Sequence, residues 1–355
     1  MKMPLKGDNV FMWMNRLNTK LSASLLALTL VGMMAQAEEP TISCAVKMEI
    51  TYTGVLYQST DGENWTEVEG ATSPYYISMD DAKKFFFCSK GSESKNITIP
   101  LSDDVDLDMV WIRPGTFIMG SPEDELSRLN RETLHQVTLT EAYWLGKYEV
   151  TQAQYEAIMG TNPSWFKGAD LPVECVNWNE AMAFCEKLTE IEAAAGRLPQ
   201  GYEYTLPTEA QWEYACRAGT TTALNSGKNL SDKYQCSEMD EVGWYGYNSG
   251  RYDSDGNLTD NGKTFTVGQK KPNTWGLYDM HGNVWEWCFD RYGYGDYPLT
   301  AEKDPIGALI GSNRIARGGA WSLKAWQCRS AHRGVPDSDM RASSFGFRVA
   351  LAPVK

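Results

Sequence analysis

Hydrophobic positions in the first hundred residues fall in short strand-like groups separated by turn formers. Val55-Leu56-Tyr57 leads into Asp61-Gly62, a hairpin signal, and Trp65-Thr66-Glu67-Val68 follows it. Tyr75-Tyr76-Ile77 and Phe85-Phe86-Phe87 complete a small all-β module over 41–103. The acidic stretch Asp103, Asp104, Asp106 and Asp108 reads as a linker. Beyond it, Met109-Val110-Trp111-Ile112 and the run from Gly115 to Gly120 predict a hairpin around Pro114-Gly115. Val137-Thr138-Leu139 and Tyr143-Trp144-Leu145 predict two more strands. The apolar spacing then becomes helical. Thr151 and Gln154 form the capping box of a helix that Gly160 closes. A second helix runs from about Glu180 to Ala194, with Ala181, Phe184, Cys185, Leu188 and Ile191 on its buried face. A third starts at Thr208 with Gln211 as box partner and buries Trp212, Ala215 and Cys216. After Gly219 the chain is mostly loop, glycine and aromatics. Residues 109–355 therefore read as a second, loop-rich domain of the α+β class.

Composition sharpens this. Aromatics make up 12% of the chain, which suits a core filled by rings rather than by long amphipathic helices. The net charge of -13 argues against a nucleic-acid partner. Arg16 and Lys20 precede an apolar run from Leu21 to Met34, and Ala35-Gln36-Ala37 supplies a small-x-small cleavage pattern. Residues 1–37 are thus expected to be a signal peptide and the product exported, to a periplasmic or extracellular location. No second apolar segment is long enough to span a bilayer, so no transmembrane anchor is expected after cleavage. Eight cysteines in an exported chain raise the prospect of disulfides. Cys44 and Cys88 are the only cysteines of the β module and form its natural pair. No Cys-x-x-Cys pair occurs and only three histidines exist, which argues against a zinc site.

The string Gly276-Leu277-Tyr278-Asp279-Met280-His281-Gly282-Asn283-Val284-Trp285-Glu286-Trp287 has neither helical nor strand periodicity. Its oxygen-bearing residues Asp279, Asn283 and Glu286 could gather around a hard cation. Together with Ile112-Arg113-Pro114-Gly115-Thr116-Phe117-Ile118-Met119-Gly120, Tyr148-Glu149-Val150-Thr151-Gln152-Ala153-Gln154-Tyr155, Leu206-Pro207-Thr208-Glu209-Ala210-Gln211-Trp212-Glu213-Tyr214-Ala215, Arg317-Gly318-Gly319-Ala320-Trp321 and Gly346-Phe347-Arg348, it resembles the formylglycine-generating-enzyme, or sulfatase-modifying-factor, family. The resemblance covers roughly 109 to 352 and leaves the β module outside. It implies a C-type-lectin-like fold variant.

The family's best-known activity oxidises a sulfatase cysteine to formylglycine with molecular oxygen and, in aerobic members, copper(I). Two thiolates in one loop are the soft ligands this needs, spaced Cys-x4-Cys after a Gly-Gly turn. Here the stretch from Gly318 to Arg333 holds one cysteine, Cys328, so the resemblance implies a member without the copper dithiol. The other reading is an active oxidase that brings Cys288 or Cys175 to Cys328. The family's sulfur–carbon bond-forming branch requires a His-x3-His-x-Glu motif, which His135, His281 and His332 do not provide. By the same resemblance, structural calcium is expected on Asp279, Gly282, Val284 and Glu286, two through side chains and two through carbonyls. The competing reading pairs Glu286 with a buried arginine and leaves Asp279 capping a turn. Asp253, Asp255, Asn257 and Asp260 resemble a calcium loop by spacing alone. The resemblance also implies a Cys216–Cys328 disulfide; the alternative is a free thiolate at Cys328 favoured by Lys324, Arg329 and Arg333. Trp321, Trp326, Arg329 and Arg333 mix residue types that binding hot spots favour and are expected to form a ligand surface for a protein or glycan. The resulting expectation is an exported, calcium-stabilised binding or accessory module, with an oxidase and a lectin-like binder as alternatives.

Overall fold

The computed structural model describes residues 95–293, 297 and 300–354, together with the backbone of five earlier strands. The expected signal segment 1–37 and Cys44 lie outside the described residues, and of Cys88 only the backbone is described. The chain divides into two compact units, Met1–Ser94 and Lys95–Lys355. In the first, β1 (Lys47–Ile50) pairs antiparallel with β4 (Tyr75–Ser78). There β2 (Val55–Ser59) pairs antiparallel with both β3 (Thr66–Glu67) and β5 (Phe86–Lys90).

The second unit is built on a five-stranded sheet in the order β11-β18-β10-β7-β6. Its strands are β6 (Ile97–Ser102), β7 (Val105–Ile112), β10 (Tyr143–Gly146), β11 (Tyr202–Thr205) and β18 (Ala350–Pro353). Two sequence expectations are corrected here. The acidic "linker" is the β6–β7 hairpin: Leu107 and Met109 face inward while Asp106 is exposed and Asp108 half-buried, the alternation of a half-buried strand. Strand β6 accordingly belongs to the second unit, which begins at Lys95. The hairpin around Pro114-Gly115 does not form either. Strand β7 joins β6 and β10, whereas β8 (Gly115–Met119) pairs with β9 (His135–Leu139) in a separate sheet with β15 (Glu302–Lys303).

Both faces of the central sheet are covered. Leu107 and Met109 pack with Tyr155, Phe184 and Leu188 of helices α1 (Gln152–Met159) and α2 (Trp178–Ala194). Val110 and Ile112 pack with Ala210, Trp212 and Ala215 of α3 (Glu209–Arg217). The capping boxes at Thr151 and Thr208 form as expected, and a third, Asn177 with Glu180, starts α2. Ile191 is 40% exposed, and Glu192 is buried instead, held by Arg197. The rest is loop around the short helix α4 (Ser237–Val242) and two small sheets. One pairs β12 (Gly243–Trp244) with β13 (His281–Gly282). The other joins β14 (Trp285–Arg291), β16 (Arg314–Arg317) and β17 (Phe345–Gly346). No helix among the described residues is long and apolar enough to cross a membrane.

Candidate functional site

The stretch from Gly276 to Val284, leading through β13 into β14, bends repeatedly because four of its residues take left-handed backbone. Gly276, Asp279, Gly282 and Asn283 all adopt positive φ, of 86°, 54°, 85° and 57°. At Gly282 a Cβ would collide with the Trp244 carbonyl, so close approach as well as φ selects glycine. Asn283 stitches the turn to two other loops: its Nδ2 donates to Glu149 Oε2 at 2.7 Å, and its Oδ1 accepts from Phe265 N at 3.0 Å. Val284 N donates to Glu149 Oε1 at 3.0 Å. Glu149 was not singled out from the sequence, although it sits inside one of the matching strings.

Glu286 is gripped by Arg348 through Nε at 2.5 Å and Nη2 at 2.6 Å, and accepts from Trp212 Nε1 at 2.6 Å. It therefore pairs with a buried arginine. Asp279 Oδ2 accepts from Gly268 N at 2.6 Å, but its Oδ1 is buried without a partner. Burial, with the neighbouring Glu286 charge, pushes the Asp279 carboxyl up to about 6 against the pull of the Gly268 amide and of Arg348. Burial and the charges of Asp279 and Glu286 raise Glu149 well above the carboxylate range. Three buried acids thus share the guanidinium of Arg348. Among the described residues no three His, Cys, Asp or Glu side chains converge as metal ligands. A cation here would rest on Asp279 Oδ1 and backbone carbonyls, with Glu286 Oε1, which accepts one bond, able to offer another lone pair. The residues fit a hard cation in charge and donor type. In the acidic loop, Asp253 Oδ1 accepts from the amides of Asp255 and Asn257, so that carboxylate organises its own turn.

The Gly318-Gly319 turn has φ of 89° and 78°, and a Cβ at Gly319 would strike Cys328 Sγ. Cys328 is fully buried, and burial pushes its thiol up to about 12. Arg329 and Arg333 do not offset this, because their charges are committed elsewhere. The disulfide implied by the resemblance is not formed: Cys216 and Cys328 are both free. Cys216 Sγ lies 3.6 Å from Ser330 Oγ and 3.9 Å from His281 Nε2, while Cys328 packs in a different apolar cluster. Between them His281 accepts from Asn225 N at Nε2 and donates from Nδ1 to the Cys328 carbonyl at 2.7 Å. Of the cysteines considered as a second thiolate, Cys288 is buried and raised by burial, and Cys175 is pushed up to about 12 by burial and Glu174.

The expected ligand surface is also corrected. Trp321 is buried, with Nε1 donating to Ser343 O at 2.9 Å. Arg329 is enclosed by Glu125, Glu132 and the Ser127 carbonyl. Arg333 holds Glu209 at 2.7 and 2.8 Å and lies 4.0 Å from the Tyr297 ring. Trp326 alone of the four is half-buried, edge-on to His332. The loop turns its charge inward because Arg217, Arg317, Arg329 and Arg333 meet Glu125, Glu132, Glu209 and Glu213 in buried ion pairs. Only the i, i+4 pair Glu213–Arg217 left a signal in the sequence. A cavity of about 280 Å³ opens beside this network, lined by Glu209, Asp290, Tyr297, Glu302 and Arg333. Glu209 and Arg333 there are already paired with each other.

A sheet sandwiched by helices, with long loops pinned by glycine turns and buried ion pairs, defines an α+β protein of the C-type-lectin-like kind. Residues 102–353 match the sulfatase-modifying factor enzyme 1-like domain, and the chain belongs to that family. It is 32% identical over 253 residues to a chaperone protein LppX of Paenibacillus barcinonensis, covering 60% of this chain and 81% of that protein. It is 31% identical over 243 residues to the mouse formylglycine-generating enzyme, covering 64% of this chain but only 56% of that enzyme. Among solved structures, Treponema denticola variable protein 1 is 32% identical with a TM-score of 0.62, covering 73% of this chain and 99% of that one. PvdO from Pseudomonas aeruginosa is 25% identical with a TM-score of 0.55, covering 72% and 97%.

Proposed function

We propose that the protein is an exported accessory or binding member of its family that does not carry out copper-dependent cysteine oxidation. The observation that carries this reading is the state of Cys328. It is the single cysteine of the loop after Gly318-Gly319, it is buried, and burial raises rather than lowers its thiol. A copper(I) site needs accessible thiolates. The name of the Paenibacillus relative, a chaperone, is in keeping with an accessory role. A structural calcium belongs to the same reading. Its support is the unpartnered Asp279 Oδ1 and the acid excess around Arg348, and its ligands would be Asp279, the Gly282 and Val284 carbonyls and Glu286. When bound it would neutralise charge and tie down the turn; it has no part in a reaction.

The names of several relatives favour the oxidase as the second reading. One experiment separates the two. The purified protein, supplied with calcium, copper(I) and oxygen, is incubated with a Cys-x-Pro-x-Arg peptide, and aldehyde is sought by mass spectrometry. No aldehyde is expected; aldehyde lost on Cys328→Ser would overturn the proposal. In the same preparation, a melting temperature that is equal with chelator and with added calcium would remove the calcium.

A further inference from the structure

Away from the buried networks, tyrosines from two loops lie on either side of the Lys324 ammonium. Tyr247 and Tyr252 stack at 5.0 Å with planes 21° apart. Tyr234 is 39% exposed. Backbone bonds tie Tyr234 and Gly246 to the C-terminal loop, and Tyr252 to Gly246. Gly246 N donates to Leu323 O at 2.6 Å, Tyr252 N to Gly246 O at 2.8 Å, and Ala325 N to Tyr234 O at 3.2 Å. Lys324 Nζ projects among the rings, 4.6 Å from the Tyr234 centroid and 6.0 Å from that of Tyr252. Acidic groups stand at the rim. Asp232 Oδ1 accepts from the Tyr234 amide at 2.6 Å, and Asp253 follows Tyr252 directly in the chain.

Aromatic faces converging on an ammonium, with carboxylates nearby, are the chemistry by which proteins bind quaternary and methylated amines. We propose that Tyr234 and Tyr252, the latter backed by the stacked ring of Tyr247, form a cage for an alkylammonium group, and that Lys324 occupies it from within the chain. The lysine ammonium marks where a ligand cation sits and competes with it. Lys233 Nζ lies 4.8 Å from the Tyr234 centroid and near neither of the other rings, so only Lys324 is shared between Tyr234 and Tyr252; an anion site built on Lys324 and Lys233 is the opposite proposal. Asp232 and Asp253 disfavour it, and the two respond oppositely to loss of Lys324.

The probe is tetramethylammonium, titrated by calorimetry into the full-length protein. Lys324→Met is expected to tighten binding about fivefold, since it removes the internal competitor. In that background Tyr252→Ala or Tyr234→Ala should weaken it about fivefold, and Tyr252→Phe should not, because the ring and not the hydroxyl makes the contact. Melting curves of each variant exclude unfolding as the cause. Binding that Lys324→Met leaves unchanged or weakens overturns the proposal, as does binding that both alanine variants retain. Two further arms, free choline and phosphatidylcholine vesicles, distinguish a soluble amine from a lipid headgroup. Response to neither, with none to tetramethylammonium, also overturns it.

Discussion

His332 is buried between Trp326, Trp285 and Glu132, with Nδ1 3.6 Å from Glu132 Oε1. Burial, reinforced by Arg329 and Arg131 and opposed by Glu132, pulls its pKa down to about 4. The imidazole is therefore neutral in the native protein, whereas the unfolded chain takes up a proton near pH 6.5. Stability from this group is full above about pH 6.5 and is lost as pH falls towards 4, by at most about 1.4 kcal/mol per pH unit. His281, lowered to about 4 mainly by burial, adds a second share of the same sign. Asp279, raised to about 6, has the opposite sign: its share is full below its unfolded value and is lost as pH rises through 6. It is common to wild type and variant and cancels between them. Urea midpoints at several pH values from 7 to 5 should thus show a smaller acid loss in His332→Gln than in wild type, with roughly half the histidine contribution gone. Equal pH slopes would mean that His332 takes up its proton alike in the folded and the unfolded chain.

Helix α3 carries Trp212, Glu209, Glu213 and Arg217 into the buried networks, and its start is set by a local device. Thr208 Oγ1 accepts from Gln211 N at 3.1 Å while Gln211 Oε1 accepts from Thr208 N at 2.9 Å. Thr208→Ala should cost about 1 kcal/mol in denaturant unfolding, and Thr208→Ser should restore most of it. A cost indistinguishable from zero would show that packing of α3 alone fixes its start. Devices of this kind were legible in the sequence because all their parts lie within four residues. Pairings between distant segments were not. Pro114-Gly115 looks like a hairpin turn, yet β8 finds its partner in β9, where Gly115 faces Leu139. The inward direction of Arg329 was equally hidden, since its partners Glu125 and Glu132 lie 204 and 197 residues away. An arginine beside a tryptophan reads as a binding surface when its carboxylates cannot be seen. For Glu286 the sequence leaves two readings open, a cation ligand and the partner of a buried arginine, and its pair with Arg348 is the second.

The boundary of the folded unit belongs to the whole molecule. The family's motif strings begin near Met109 and its domain match at residue 102, but the central sheet begins earlier, at Ile97. Strand β6 forms its edge, pairing with β7 from Ile97↔Met109 to Ser102↔Val105. Ile99 and Leu107 are 8% and 2% exposed and sit in the same cluster as Tyr155 and Phe184. Gln154 Nε2 donates to the Asp106 carbonyl of β7 at 2.7 Å, and Trp144 Nε1 donates to the Lys95 carbonyl, ahead of β6, at 2.8 Å. A chain beginning at Lys95 keeps all of these contacts. One beginning at Met109 loses Ile99 and Leu107 from the core, each worth about 1.5–3 kcal/mol of burial, and leaves the remainder of β7 without its outer neighbour. Losses of that size compete with the whole stability of a typical domain, about 5–15 kcal/mol. The 95–355 fragment should therefore give a cooperative thermal transition close to that of the same unit in the full chain. The 109–355 fragment should be insoluble or unfold without a sharp transition. Equal melting behaviour of the two would show that β6 is an ornament of the sheet and that the unit begins where the resemblance does.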